Sequence, residues 1–151
     1  MQQWEKLSQI VPEVNIQLDY LMPKTLSGLN IDDDIYINAN NNYYKNVGVL
    51  AEEIGHYLTS WGDISDYSKI NNMRQEVRAR RKGAELVLPF DRIIEAYRHS
   101  MQTEHDICLY LEITPDVLRW IIADYKTRHG TYVDYNGYRI TFEPLTVKEL
   151  K

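Results

Sequence analysis

The chain has 151 residues, 44 % of them apolar and including 12 Tyr and 3 Trp, so it can bury a core and disorder is not expected. Its formal net charge of −5 argues against general nucleic-acid binding, because phosphate contacts need a surplus of Lys and Arg. The lone cysteine, Cys108, rules out an intrachain disulfide and a thiolate zinc cluster and reads as a buried small hydrophobe.

Residues 2–10 fit a short helix that ends near Pro12. Residues 13–20 alternate, with Val14, Ile16 and Leu18 against Asn15, Gln17 and Asp19, which predicts a strand. Residues 23–30 are rich in turn formers. Residues 33–38 read as a second strand, with Ile35 and Ile37 on one face and Asp32, Asp33 and Asp34 at its mouth. The alternating ligands and the glycine of a calcium loop are missing there, so the acidic run reads as a solvated turn.

From Tyr43 to about Ser60 the pattern becomes helical, with Val47, Leu50, Ile54 and Leu58 on one stripe. Gly62, Asp63 and Ser65 break it. A second helix is expected over 72–88, stopping before Pro89, and a third over 90–101. Thr103 is a candidate N-cap for a fourth helix, and Thr114-Pro115-Asp116 opens a fifth that should end at Gly130. Residues 131–134 and 138–142 alternate around Asn136-Gly137, a type I′ hairpin signal. The fold class is therefore α+β, with strands first, a helical middle and a terminal hairpin. The start of the chain lacks a basic and apolar leader. No stretch approaches the roughly 18 apolar residues of a membrane span. A soluble, cytoplasmic protein is expected.

The chemistry concentrates in Leu50-Ala51-Glu52-Glu53-Ile54-Gly55-His56. On a helix, Glu52 and His56 share a face and can reach one metal ion, while Glu53 lies one position round. In zinc peptidases of the HExxH type, ligands at i and i+4 hold the metal and the Glu after the first ligand activates water. Here a carboxylate, Glu52, takes the first position, which makes the ligand set harder and more anionic. A third ligand could come from Glu76, on a face shared with the small residues Ala79 and Gly83, or from Asp63 at the turn. The plainer roles are an ion pair between Glu76 and the nearby Arg74, Arg78, Arg80 or Arg81, and a cap at Asp63.

These residues resemble the ImmA/IrrE metallopeptidases, chiefly the short form carried by phages and mobile elements of Gram-positive bacteria. The likeness runs from Leu50 to His56, where members often read Leu-Ala-Glu-Glu-Leu-Gly-His, and through Gly62-Asp63-Ile64. It continues at Gln75-Glu76-Val77-Arg78-Ala79-Arg80, Ala84 and Leu86-Val87-Leu88-Pro89. Upstream, Leu21-Met22-Pro23, Gly28-Leu29 and Ile35-Tyr36-Ile37-Asn38 are similar to the family's opening hairpin. Downstream, Tyr110-Leu111-Glu112-Ile113-Thr114 and Gly130-Thr131-Tyr132 also match.

The resemblance implies one domain over 1–151, a small N-terminal β-sheet packed on a zincin-like helical core. Its parts would be strands in 1–42, the metal-site core in 43–101, a helical pair in 102–130 and a hairpin in 131–145. It implies His56, Glu52 and Glu76 as metal ligands and Glu53 as general base. The cofactor would be a divalent metal, zinc first and manganese second. Glu52 stands where the broader family has His, a substitution usual in the short phage-type group. The implied activity is cytoplasmic cleavage of a helix-turn-helix repressor, relieving repression of the element. A non-catalytic antirepressor that keeps the fold is the alternative. Direct DNA binding by the helices over 106–128 is disfavoured by Glu112, Asp116 and Asp124 on them.

Overall fold

The computed structural model describes residues 2–59 and 69–151. The contacts divide the chain into two compact units, Met1–Val87 and Leu88–Lys151. No helix among the described residues is long and apolar enough to cross a membrane.

The first unit contains α1 (Gln3–Ile10), β1 (Asn15–Asp19), β2 (Gly28–Ile31), β3 (Asp34–Asn38), α2 (Tyr43–Thr59) and α3 (Lys69–Val87). Its sheet has the order β1-β3-β2, with β1 parallel and β2 antiparallel to the central β3. The register aligns Ile16, Ile35 and Asn30 in one row and Leu18, Ile37 and Gly28 in another. Ile35 and Ile37 are fully buried, as are Val47, Leu50 and Ile54 of α2; Leu58 is half-buried. The 3.6-residue stripe thus meets the period-2 face of the sheet, which is what holds α2 in place.

Strand β2 corrects the turn-rich reading of residues 23–30. Gly28 and Asn30 have low strand propensity, so local composition hid an element that exists because β3 supplies its hydrogen-bond partners. The likeness to an opening hairpin did point to it. The β2–β3 turn is Asp32-Asp33, with Asp32 in the left-handed region at φ 51°, a conformation Asp tolerates. Buried Asn38 fixes the preceding loop by donating from Nδ2 to the carbonyls of Pro23 and Leu26, at 3.1 and 2.8 Å.

The second unit contains α4 (Phe90–Arg98), α5 (Glu104–Leu111), α6 (Pro115–His129), β4 (Tyr132–Tyr135), β5 (Tyr138–Phe142) and β6 (Leu145–Glu149). Thr103 and Thr114 cap their helices as expected, accepting from the backbone N–H of Asp106 and Val117 at 3.1 and 3.3 Å. Asn136 and Gly137 take φ of 47° and 82°, as a type I′ turn requires. Helix α4 stops at Arg98, short of 101, because Ser100 turns left-handed at φ 61°. The hairpin is also extended. β6 pairs with β5 and completes a three-stranded antiparallel sheet. Its alternation of half-buried Leu145 and Val147 with exposed Thr146 and Lys148 is visible in the sequence. Ile113, Ile121, Tyr125, Ile140 and Phe142 form this unit's core, and Tyr125 donates its hydroxyl to Leu88 O at 2.7 Å. Cys108 is buried, and burial pushes its thiol pKa up.

Candidate metal centre

Helices α2 and α3 approach until their backbones touch. A Cβ on Gly55 would lie 2.1 Å from Ala79 O, and one on Gly83 would lie 2.7 Å from Ala51 O. No side chain larger than hydrogen fits at either place. The small face expected on α3 is therefore real, but half of the contact comes from Ala51 and Gly55 on α2. This approach carries Glu76 to the α2 face that bears Glu52 and His56.

His56 Nε2 stands 3.4 Å from Glu76 Oε2. One candidate ligand atom from each of Glu52, His56 and Glu76 lies within 4.8 Å of the others. Two donors about 2.1 Å from a tetrahedral zinc ion are about 3.4 Å apart, so the His56–Glu76 spacing fits a shared ion and Glu52 is within side-chain reach. An imidazole nitrogen with two carboxylates suits Zn²⁺ or Mn²⁺. Among the described residues, His99, His105 and His129 join no such group. Asp63, the competing third ligand, lies outside the described residues.

Of the four arginines weighed as partners of Glu76, Arg80 lies near Glu52. Arg80 Nε lies 3.5 Å from Glu52 Oε1, an exposed contact of small energetic weight. Arg80 is one helical turn beyond Glu76, so the same α3 face supplies a candidate ligand and a cation for the acidic cluster.

Glu53, one position round from Glu52, turns its carboxylate toward the edge strand β2 while staying close enough to feel His56, Glu52 and Glu76. Asn30 Nδ2 donates to Glu53 Oε2 at 2.7 Å and to Glu53 O at 2.8 Å. A Cβ on Gly28 would stand 2.9 Å from both Glu53 Cγ and Oε1. Burial pushes the Glu53 carboxyl above its usual pKa. The Asn30 hydrogen bond and nearby His56 oppose that rise, while Glu52 and Glu76 add to it. A carboxyl half out of water and adjacent to a cation site is suited to accept and release a proton. The sequence reading does not reach Asn30 and Gly28 as site residues. Their signals are the alternation along Gly28-Leu29-Asn30-Ile31 and, for Gly28, its place in the likeness to the family's opening hairpin.

The Peptidase_M78 family model, the IrrE N-terminal-like domain, matches residues 14–119, a span holding Glu52, Glu53, His56 and Glu76. No curated protein matches the chain significantly.

Proposed function

The chain belongs to the IrrE N-terminal-like family of metallopeptidases; from that premise we propose that it is a metal-dependent endopeptidase. Its substrate would be a helix-turn-helix repressor of a phage or mobile element, cut in the cytoplasm to relieve repression. The observation that carries the catalytic part is the juxtaposition of Glu52, His56 and Glu76 with a desolvated Glu53 beside them.

Glu52, His56 and Glu76 would hold a divalent ion, Zn²⁺ first and Mn²⁺ second. When bound, that ion supplies Lewis-acid polarisation of a carbonyl and activation of water. Glu53 is the general base: its carboxylate takes a proton from the attacking water and returns it to the leaving nitrogen. Two carboxylates among three ligands would neutralise a divalent charge that a set of two histidines and one carboxylate leaves half compensated, which would weaken the ion as an acid and place more of the work on Glu53. Strand β2 supports a polypeptide substrate. No described strand pairs with its outer edge, and Leu29 and Ile31 are exposed. An extended segment can hydrogen-bond to such an edge.

A second reading, a non-catalytic antirepressor, is favoured by one observation: Glu52 replaces a histidine and has Arg80 beside it. One experiment separates the two. The protein is mixed with the adjacently encoded repressor, with and without Zn²⁺ or Mn²⁺, and Glu53→Gln is run in parallel. Metal-dependent cutting by the wild type and its loss in Glu53→Gln is the expected result. Binding without cutting, or equal cutting by both proteins, overturns the catalytic reading.

A further inference from the structure

Strand β2 does more than present an edge. Its two half-buried residues, Gly28 and Asn30, face α2, while Leu29 and Ile31 face outward. Both inward residues meet the Glu53 side chain, and a Cβ on Gly28 would also stand 2.9 Å from Val49 Cγ1. One carboxylate oxygen, Oε1, lies over Gly28 where a Cβ would collide with it, and the other, Oε2, accepts from Asn30 at 2.7 Å. The same amide nitrogen donates to the Glu53 carbonyl at 2.8 Å. A carbonyl oxygen can only accept, so the NH2 end of Asn30 must face the helix. The amide therefore fixes the strand to the backbone of Glu53 and aims its carboxylate in a single grip.

We propose that Asn30 is a positioning residue for the general base Glu53, with Gly28 supplying the slot that the carboxylate occupies. The inference rests on the peptidase reading above and deepens it. An unanchored glutamate has three rotatable bonds and visits many orientations, whereas proton transfer needs one. Asn30 selects it without touching the metal ligands. It also ties the base to the strand whose outer edge is open to an extended peptide, so the substrate's seat and the base share one rigid element.

Three variants and two readouts test this. Asn30→Leu keeps the shape and removes the donor; Asn30→His restores a donor; Gly28→Ala fills the slot. In cleavage assays with saturating Zn²⁺ or Mn²⁺, Asn30→Leu should lose about 10- to 100-fold in kcat with KM unchanged, the size expected for a misplaced catalytic group. Asn30→His should recover part of that loss, and Gly28→Ala should resemble Asn30→Leu. Zn²⁺ affinity by chelator competition should stay at the wild-type value in Asn30→Leu. The second readout needs no activity. Of the two side-chain amide protons of Asn30 in a ¹⁵N spectrum, the one held by the Glu53 carboxylate should exchange faster in Glu53→Ala and stay protected in Glu53→Gln, while the one held by the Glu53 carbonyl changes little.

Unchanged kcat in Asn30→Leu, no recovery in Asn30→His, a loss of metal binding in Asn30→Leu, or an amide signal indifferent to Glu53→Ala overturns the proposal. A wild type that never cuts overturns the peptidase reading instead, and the amide spectrum still decides whether Asn30 holds Glu53.

Discussion

The two units handle charge in opposite ways. In residues 88–151, carboxylates are matched to cations: Arg119 with Glu104, Arg128 with Asp124, Arg139 with Asp134 and Lys126 with Glu143. In residues 1–87, Glu52 and Glu76 gather at His56 with Glu53 close by, Arg80 meets Glu52 only in an exposed contact, and burial raises the pKa of Glu53. The exposed pairs of the second unit cost little and contribute little, while buried Asp124 needs its Arg128 partner to offset desolvation. A cluster of like charges costs folding energy and persists where it serves a ligand or a reaction. Among the described residues, the contrast agrees with the proposed site in the first unit without reference to any motif.

The sharpest way to break this comparison is to remove His56. His56→Ala should weaken Zn²⁺ binding by more than the roughly 10- to 100-fold typical of changes outside the ligand shell, as chelator competition would read. Unchanged affinity would mean that the cluster is not the site. Gly55→Ala comes next. Its Cβ would lie 2.1 Å from Ala79 O, so the helices must separate, at about 2–3 kcal/mol of overpacking cost. Urea unfolding should show that loss, and Zn²⁺ affinity should fall with it, because Glu76 would move away from His56.

A smaller effect follows from Glu53. A carboxyl whose pKa is raised by folding adds stability below its ordinary value of 4.5 and loses it as pH rises through the raised value. Metal-free Glu53→Gln should therefore melt above the wild type near neutral pH (about 7), with the gap closing on acidification. A gap that widens toward acid would contradict the burial argument. The smallest effect belongs to the other unit. Arg119→Ala should cost under about 1 kcal/mol, since its partner Glu104 remains solvated.

What could be read from the sequence was what neighbouring residues settle among themselves. Thr103 and Thr114 cap because their hydroxyls reach an N–H three residues on. Asn136-Gly137 turns because those residues tolerate positive φ. Strand β2 escaped the local reading because Gly28 and Asn30 gain their strand geometry from β3 and their inward role from Glu53, twenty-three residues beyond Asn30. Strand β6 escaped although its alternation was present, because a five-residue alternation acquires meaning only when β5 offers an edge.

By itself, then, the sequence determined that Glu52 and His56 share a helical face, since 3.6 residues per turn leaves no other outcome once Val47, Leu50 and Ile54 are buried. Only the tertiary structure decided that Glu76 joins them and that Glu53 turns instead toward Asn30. The first depends on two helices meeting backbone to backbone at Gly55 and Gly83, and the second on a strand borrowed from across the sheet. Both are contacts between distant segments, whose geometry is set by packing and by no local propensity.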